Sequence, residues 1–151
     1  MKILLLDTTV IIDAINGKRG RGQFLENLVL NRNLLACCSI NVTEVYAGIR
    51  PHEVCGTESF MRSLRFYEVT WDIARFAGEL KNRWARKGHT VALPDITISA
   101  VALANSLTLV TDNRKHFPMP ELQFLEPCIP KSWSLPNQMP SAILKWHDAQ
   151  S

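Results

Sequence analysis

The chain lacks what would take it into or across a membrane. No apolar run reaches the roughly 18 residues that span a bilayer. The opening stretch, Met1-Lys2-Ile3-Leu4-Leu5-Leu6-Asp7, is too short and turns acidic too soon to read as a secretory signal. A cytoplasmic, non-membrane protein is the expectation. There are four cysteines, Cys37, Cys38, Cys55 and Cys128, and no CxxC pair. That spacing argues against a zinc site or a disulfide framework and for reduced, buried thiols. Glycine is missing directly after the first apolar run, where Thr8-Thr9-Val10 stands, so a dinucleotide-binding turn is excluded. A phosphatase built on two aspartates two residues apart would need an acid at position 9, and the chain has Thr9. No P-loop and no HExxH motif occur.

What is present is ordinary in amount and informative in arrangement. A length of 151 residues with 46 % hydrophobic composition suits one folded domain with a real core. A net charge of +3 permits a polyanionic partner without demanding one. Apolar runs at residues 2–6, 34–38, 66–69 and 107–110 read as strands, with a possible edge strand at 122–125. Between them, helical spacing is expected over about 10–15, 23–30, 39–49, 52–64, 72–87 and 95–105. Ser39 and Asp72 are the expected caps of two of these helices. Strands alternating with helices predict an α/β sandwich with a mainly parallel central sheet. Beyond Pro127 the period is lost and prolines recur, so 127–151 reads as a tail on a domain of residues 1–126, with one helical turn near 142–146.

Acids follow the strands. Asp7 ends the run Ile3-Leu4-Leu5-Leu6, and Asp112 follows Leu107 to Val110 and Thr111. Glu44 lies in the helix after the run 34–38, and Asp95 follows Leu93-Pro94 at the start of an apolar helix. Singly, each has a plain explanation: Asp7 or Asp95 as a helix cap, Glu44 as a solvated helix residue, Asp112 as part of a turn with Asn113. Together they carry more. Open parallel sheets bind ligands outside the carboxyl ends of their strands, so these carboxylates are expected to converge on one edge. Clustered acids repel one another unless a cation intervenes. Ligation by oxygen alone suits Mg²⁺ or Mn²⁺.

Four segments carry a resemblance. Leu5-Leu6-Asp7-Thr8-Thr9-Val10-Ile11-Ile12-Asp13 resembles the first motif of the PIN-domain ribonucleases. Ser39-Ile40-Asn41-Val42-Thr43-Glu44-Val45-Tyr46-Ala47-Gly48 resembles the second, and Leu93-Pro94-Asp95-Ile96-Thr97-Ile98-Ser99-Ala100 the third. Leu109-Val110-Thr111-Asp112-Asn113-Arg114-Lys115-His116-Phe117 resembles the fourth. The match covers about residues 1–126 in the family's order, and the small size and motif forms are similar to the VapC toxins of type II toxin–antitoxin pairs. Thr9 departs from the family's usual Ser or Asn but keeps a hydroxyl that can orient Asp7 or a water. In the fourth motif Asp112 is the expected acid, with Asn113 as the alternative.

The resemblance implies a PIN-like three-layer sandwich and a metal-dependent ribonuclease acting on RNA phosphodiester bonds. It also implies a homodimer and a small protein antitoxin that masks the site. The alternatives are an inactive PIN-like interaction module or a metal-dependent phosphatase of another α/β class. Asp7 and Asp95 are the expected direct metal ligands; Glu44 and Asp112 would complete a second metal or bind through water. Thr8 and Thr111 are candidates for supporting hydrogen bonds. Lys18, Arg19 and Arg21, with Arg114, Lys115 and His116, are the basic residues expected to flank an RNA path. His116-Phe117 is expected to pack and close the site rather than to act as a base.

Overall fold

The computed structural model describes residues 1–127. The tail expected from 127 onward, with its helical turn near 142–146, lies outside them apart from Pro127. The first strand, β1 (Ile3–Leu6), is apolar throughout because both of its faces are covered: Leu4, Leu5 and Leu6 are at most 1 % exposed. It is followed by α1 (Thr8–Ile15), α2 (Arg21–Leu30), β2 (Leu34–Cys38) and α3 (Ser39–Ala47). A short 3-10 turn over Pro51–Glu53 leads into α4 (Val54–Ser63) and β3 (Arg65–Tyr67). Then come α5 (Trp71–Arg86), α6 (Leu93–Ala104), β4 (Thr108–Val110), a 3-10 turn at Arg114–His116 and β5 (Gln123–Leu125).

The five strands are all parallel, in the order β3-β2-β1-β4-β5. β5 is an edge strand, as its position after the last apolar run suggested. The chain moves outward from β1 to β3 on one side and then crosses back to the other side of β1 with β4. The switch point of the sheet therefore lies between β1 and β4, the place where open α/β sheets form ligand crevices.

Alternation along the strands splits the interior in two. Leu4, Leu6, Cys37 and Val110 pack with Val10, Ile11 and Ala14 of α1, Leu25 of α2, Val45 of α3 and Met61 of α4. Leu5, Ala36, Cys38 and Leu109 face the other way, onto Ala77 and Leu80 of α5 and Ile96, Ala100 and Val101 of α6. The adjacent cysteines thus belong to opposite cores. This is the three-layer α/β sandwich expected.

Two helix caps differ from the expectation. Thr70, not Asp72, caps α5: its hydroxyl accepts from the Ile73 amide at 3.2 Å. Asp72 is one turn position inside, where a carboxylate still favours the helix dipole. Ser39 does not cap α3. The cap residue is Cys38, whose amide donates to the Asn41 side chain, while the Ser39 hydroxyl accepts from the Val69 amide at 3.0 Å and ties α3 to the chain after β3. The first helix also starts earlier than its apolar period, at Thr8, because Asp7 already turns the chain.

These placements separate core from cap energetically. Leu5→Ala is expected to cost roughly 2–5 kcal/mol, for lost burial plus a cavity. Thr70→Ala is expected to cost about 1 kcal/mol. Urea midpoints of the two variants check the difference.

Candidate active site

The register of the central strands builds the site. Leu6 pairs with Val110, so the next residues, Asp7 and Thr111, leave the sheet side by side. The Asp7 amide donates to the Val110 carbonyl at 2.9 Å. The Thr111 hydroxyl donates to Asp7 Oδ2 at 2.7 Å, and both side chains are buried. Glu44 arrives from α3, on the far side of β1. Its Oε2 accepts the Thr8 hydroxyl at 2.5 Å. Asp95 arrives from the first turn of α6, where its charge favours the helix dipole.

Asn41, which the sequence reading left without a role, organises this edge. It is fully buried and both ends of its amide are used: Oδ1 accepts from the Cys38 amide at 2.8 Å, and Nδ2 donates to the Leu6 carbonyl at 3.2 Å and to Thr8 Oγ1 at 2.9 Å. Because Thr8 accepts from Asn41, its own proton is free to go to Glu44. In the fold Asn41 is the third residue of α3 and completes a capping box with Cys38.

Electrostatics couples three of the four expected acids. Burial pushes the Asp7 carboxyl above its ordinary range; the Thr111 hydroxyl and the Thr8 amide pull it back, and Glu44 raises it further. Burial also raises Asp95, and so do the charges of Asp7 and, more weakly, Glu44. His116 opposes both rises, with Nδ1 3.6 Å from Asp95. Asp112 is held elsewhere: it accepts from Nη2 of Arg21, and Arg19 lies 3.8 Å away. Asn113 donates its amide to the Thr111 hydroxyl at 3.0 Å. So Asp7, Glu44 and Asp95 share one electrostatic site, and Asp112 stands at its rim in an ion pair.

The basic residues divide as well. Arg21 was expected to flank an RNA path, but it is 2 % exposed and lies in the interior. Lys18 and Lys115 are exposed. Arg114 is exposed, stacked 4.8 Å above the Phe124 ring and 3.8 Å from Glu126. Thr9 is exposed on α1, and it is Thr111 whose hydroxyl is given to Asp7.

The donor set fits a hard divalent cation. All three coupled groups offer carboxylate oxygens, and two of them bind a proton more tightly than a free carboxyl because burial and the neighbouring carboxylates disfavour their ionised form. Among the described residues, no group of three or more His, Cys, Asp or Glu side chains is gathered so as to hold a metal ion. Mg²⁺ does not require three, since it is commonly held by one or two carboxylates and retains several waters.

Residues 4–121 match the PIN domain family. Ribonuclease VapC19 of Mycobacterium tuberculosis is 33 % identical over 120 residues, which cover 79 % of this chain and 96 % of the relative. Two solved structures are similar in fold. VapBC2 from Rickettsia felis, bound to a DNA fragment from its promoter, has a TM-score of 0.72 at 27 % identity, covering 82 % of this chain and 98 % of that one. A toxin–antitoxin complex from Klebsiella pneumoniae has a TM-score of 0.69 at 27 % identity, covering 83 % and 98 %. The chain belongs to the PIN domain family.

Two outcomes follow from the site. The folded protein binds protons at Asp7 and Asp95 more readily than the unfolded chain. Between the ordinary carboxyl value of 3.8 and the raised values, the metal-free fold therefore loses stability as pH rises, and above that window the whole penalty applies. Asp7→Asn should melt above the wild type at neutral pH in a chelating buffer, with the advantage shrinking as pH falls through the window. Thermal melts across pH check it. Asn41→Ala removes the satisfied amide and leaves buried groups unpaired, so it should cost on the order of 3 kcal/mol in urea unfolding.

Proposed function

We propose that this protein is a divalent-metal-dependent ribonuclease and the toxin of a toxin–antitoxin pair, with Mg²⁺ or Mn²⁺ held by Asp7 and Asp95 and Glu44 completing its surroundings. The observation that carries the reading is the meeting of three mutually coupled carboxylates at the switch point of a parallel sheet, in a chain of the PIN family. A relative named as a ribonuclease and a neighbour solved as a toxin–antitoxin complex support the activity and the partner. A protein antitoxin, an RNA substrate, a homodimer and a cytoplasmic location belong to the same proposal. Among the described residues no helix is long and apolar enough to cross a membrane.

The chemistry asks for an activated water and for relief of charge on phosphoryl oxygens. A bound divalent cation supplies both, by lowering the proton affinity of water and offsetting the developing charge. The protein's own part is orientation. Thr111 donates to Oδ2 of Asp7 and holds that carboxylate in one orientation. The Asn41–Thr8 pair fixes Glu44 at a set distance from β1. His116 stands beside Asp95 and opposes the rise that burial and the neighbouring acids impose on it. Asp112 contributes from the rim, through its hold on Arg21. Exposed Lys115 and Arg114, on the turn after the last acid, offer positive charge to a phosphate chain that the acids repel.

Asp7→Asn and Asp95→Asn should each abolish RNA cleavage while the far-UV spectrum stays native. EDTA should silence the wild type, and Mg²⁺ or Mn²⁺ should restore it. Undiminished cleavage by either variant contradicts the assignment. Replacing Arg114 and Lys115 with Ala should weaken RNA binding and reduce the slope of log affinity against log salt by up to about 2, one phosphate contact each.

A further inference from the structure

Arg21 opens α2 directly after two residues in left-handed conformation, Arg19 (φ 54°) and Gly20 (φ 61°). That coil turns its side chain inward, to 2 % exposure. A guanidinium keeps its proton when buried, so carboxylates must meet its charge. Asp112, on the loop after β4, accepts from Nη2, and Asp13, near the end of α1, lies 4.0 Å from Nε. Arg19 covers the same two carboxylates from outside, at 3.6 Å from Asp13 and 3.8 Å from Asp112. Two cations balance two anions, so no charge is left over for a phosphate. Nε and Nη1 make no hydrogen bond among the described residues. The bond to Asp112 is therefore the directional one, and burial of Arg21 is sustained only while the loop stays in place.

The same loop reaches Asp7. The peptide that joins Asp112 to Asn113 supplies the amide that donates to Thr111 Oγ1 at 3.0 Å, and Thr111 Oγ1 donates in turn to Asp7 Oδ2 at 2.7 Å. A hydroxyl has one proton. Receiving from Asn113, Thr111 gives its own to Asp7. An ionised carboxylate can only accept, so that last bond runs to Asp7, and the amide on the peptide after Asp112 holds the hydroxyl oxygen where it can make it.

We propose that Arg21 is a positioning residue for RNA cleavage: by clamping Asp112 against the corner between α1 and α2, it turns the Asp112–Asn113 peptide so that Thr111 keeps its proton on Asp7. The inference rests on the nuclease reading of the site. A fluorescently labelled RNA oligonucleotide with Mn²⁺ tests both, and a wild type no faster than Asp7→Asn would overturn the nuclease reading itself. Given wild-type activity, Arg21→Lys keeps the charge but loses the fork. Its kcat should fall by about tenfold or more with KM unchanged within about twofold. Thr111→Val should lose a similar factor, and the double variant should lose no more than either alone, because both act on one bond. In metal-free protein, amide hydrogen exchange at Asn113 should quicken in Arg21→Lys. An unchanged kcat, a raised KM at constant kcat, or losses that multiply would each overturn the clamp. If Arg21→Lys does not fold, Asp112→Asn keeps the shape and removes the anchoring charge. The same kcat loss and the same non-additivity with Thr111→Val are then expected, and independent losses overturn the proposal.

Discussion

The structure turns on a buried carboxylate at the end of a strand that is paired on both sides. β1 lies between β2 and β4, so Asp7 leaves the sheet where water is scarce and a second strand end is already close. A carboxylate there is costly unless hydrogen bonds or a cation meet it. Much of the surrounding chain answers that cost. Thr111 is placed by the pairing of Leu6 with Val110, and α1 begins at the residue after the acid, so the Thr111 hydroxyl and the Thr8 amide both meet it; the carboxylates that α3 and α6 bring to the same edge add to the cost instead.

One device is used twice. On each side of Asp7 a threonine hydroxyl accepts from an amide and donates to an acid: Asn41 to Thr8 to Glu44, and Asn113 to Thr111 to Asp7. The amide sets the polarity, and the hydroxyl passes it on. Carboxylate oxygens that would otherwise rotate freely are thereby given one orientation. Asp95 is arranged differently. It is set by the rigid first turn of α6, behind Pro94, and is the acid on which the repulsion of the other two falls.

The strands and their parallel sense were legible because a buried parallel strand is apolar along its length, and Asp7 was marked by breaking such a run; Glu44 and Asp95 lie in helices and were picked out by the motifs that surround them. Asn41 was passed over since a polar residue in a helix reads as solvated, and only the fold reveals that its face points at β1. Arg21 was misread for a related reason. A cluster such as Lys18-Arg19-Gly20-Arg21 looks like a charged turn, and its left-handed backbone, which sends one of the three cations inward, is not written in the residue types. Asp112 against Asn113 could not be separated by spacing, because neighbouring residues of a turn differ in direction more than in position. The caps of α3 and α5 slipped by one or two residues for the ordinary reason that several small polar side chains stood near each helix start.

The paired cysteines have a consequence of their own. Alternate strand residues face opposite ways, so Cys37 and Cys38 present their sulfurs to two different hydrophobic layers and cannot readily meet each other. Burial pushes the Cys37 thiol up to about 11 and raises Cys38 as well, which keeps both out of the thiolate form that reacts. Among the described residues Cys55 is the exposed thiol. The molecule thus carries a silent chemical label in each of its two cores, and the order in which a thiol reagent reaches them records which layer of the sandwich opens first.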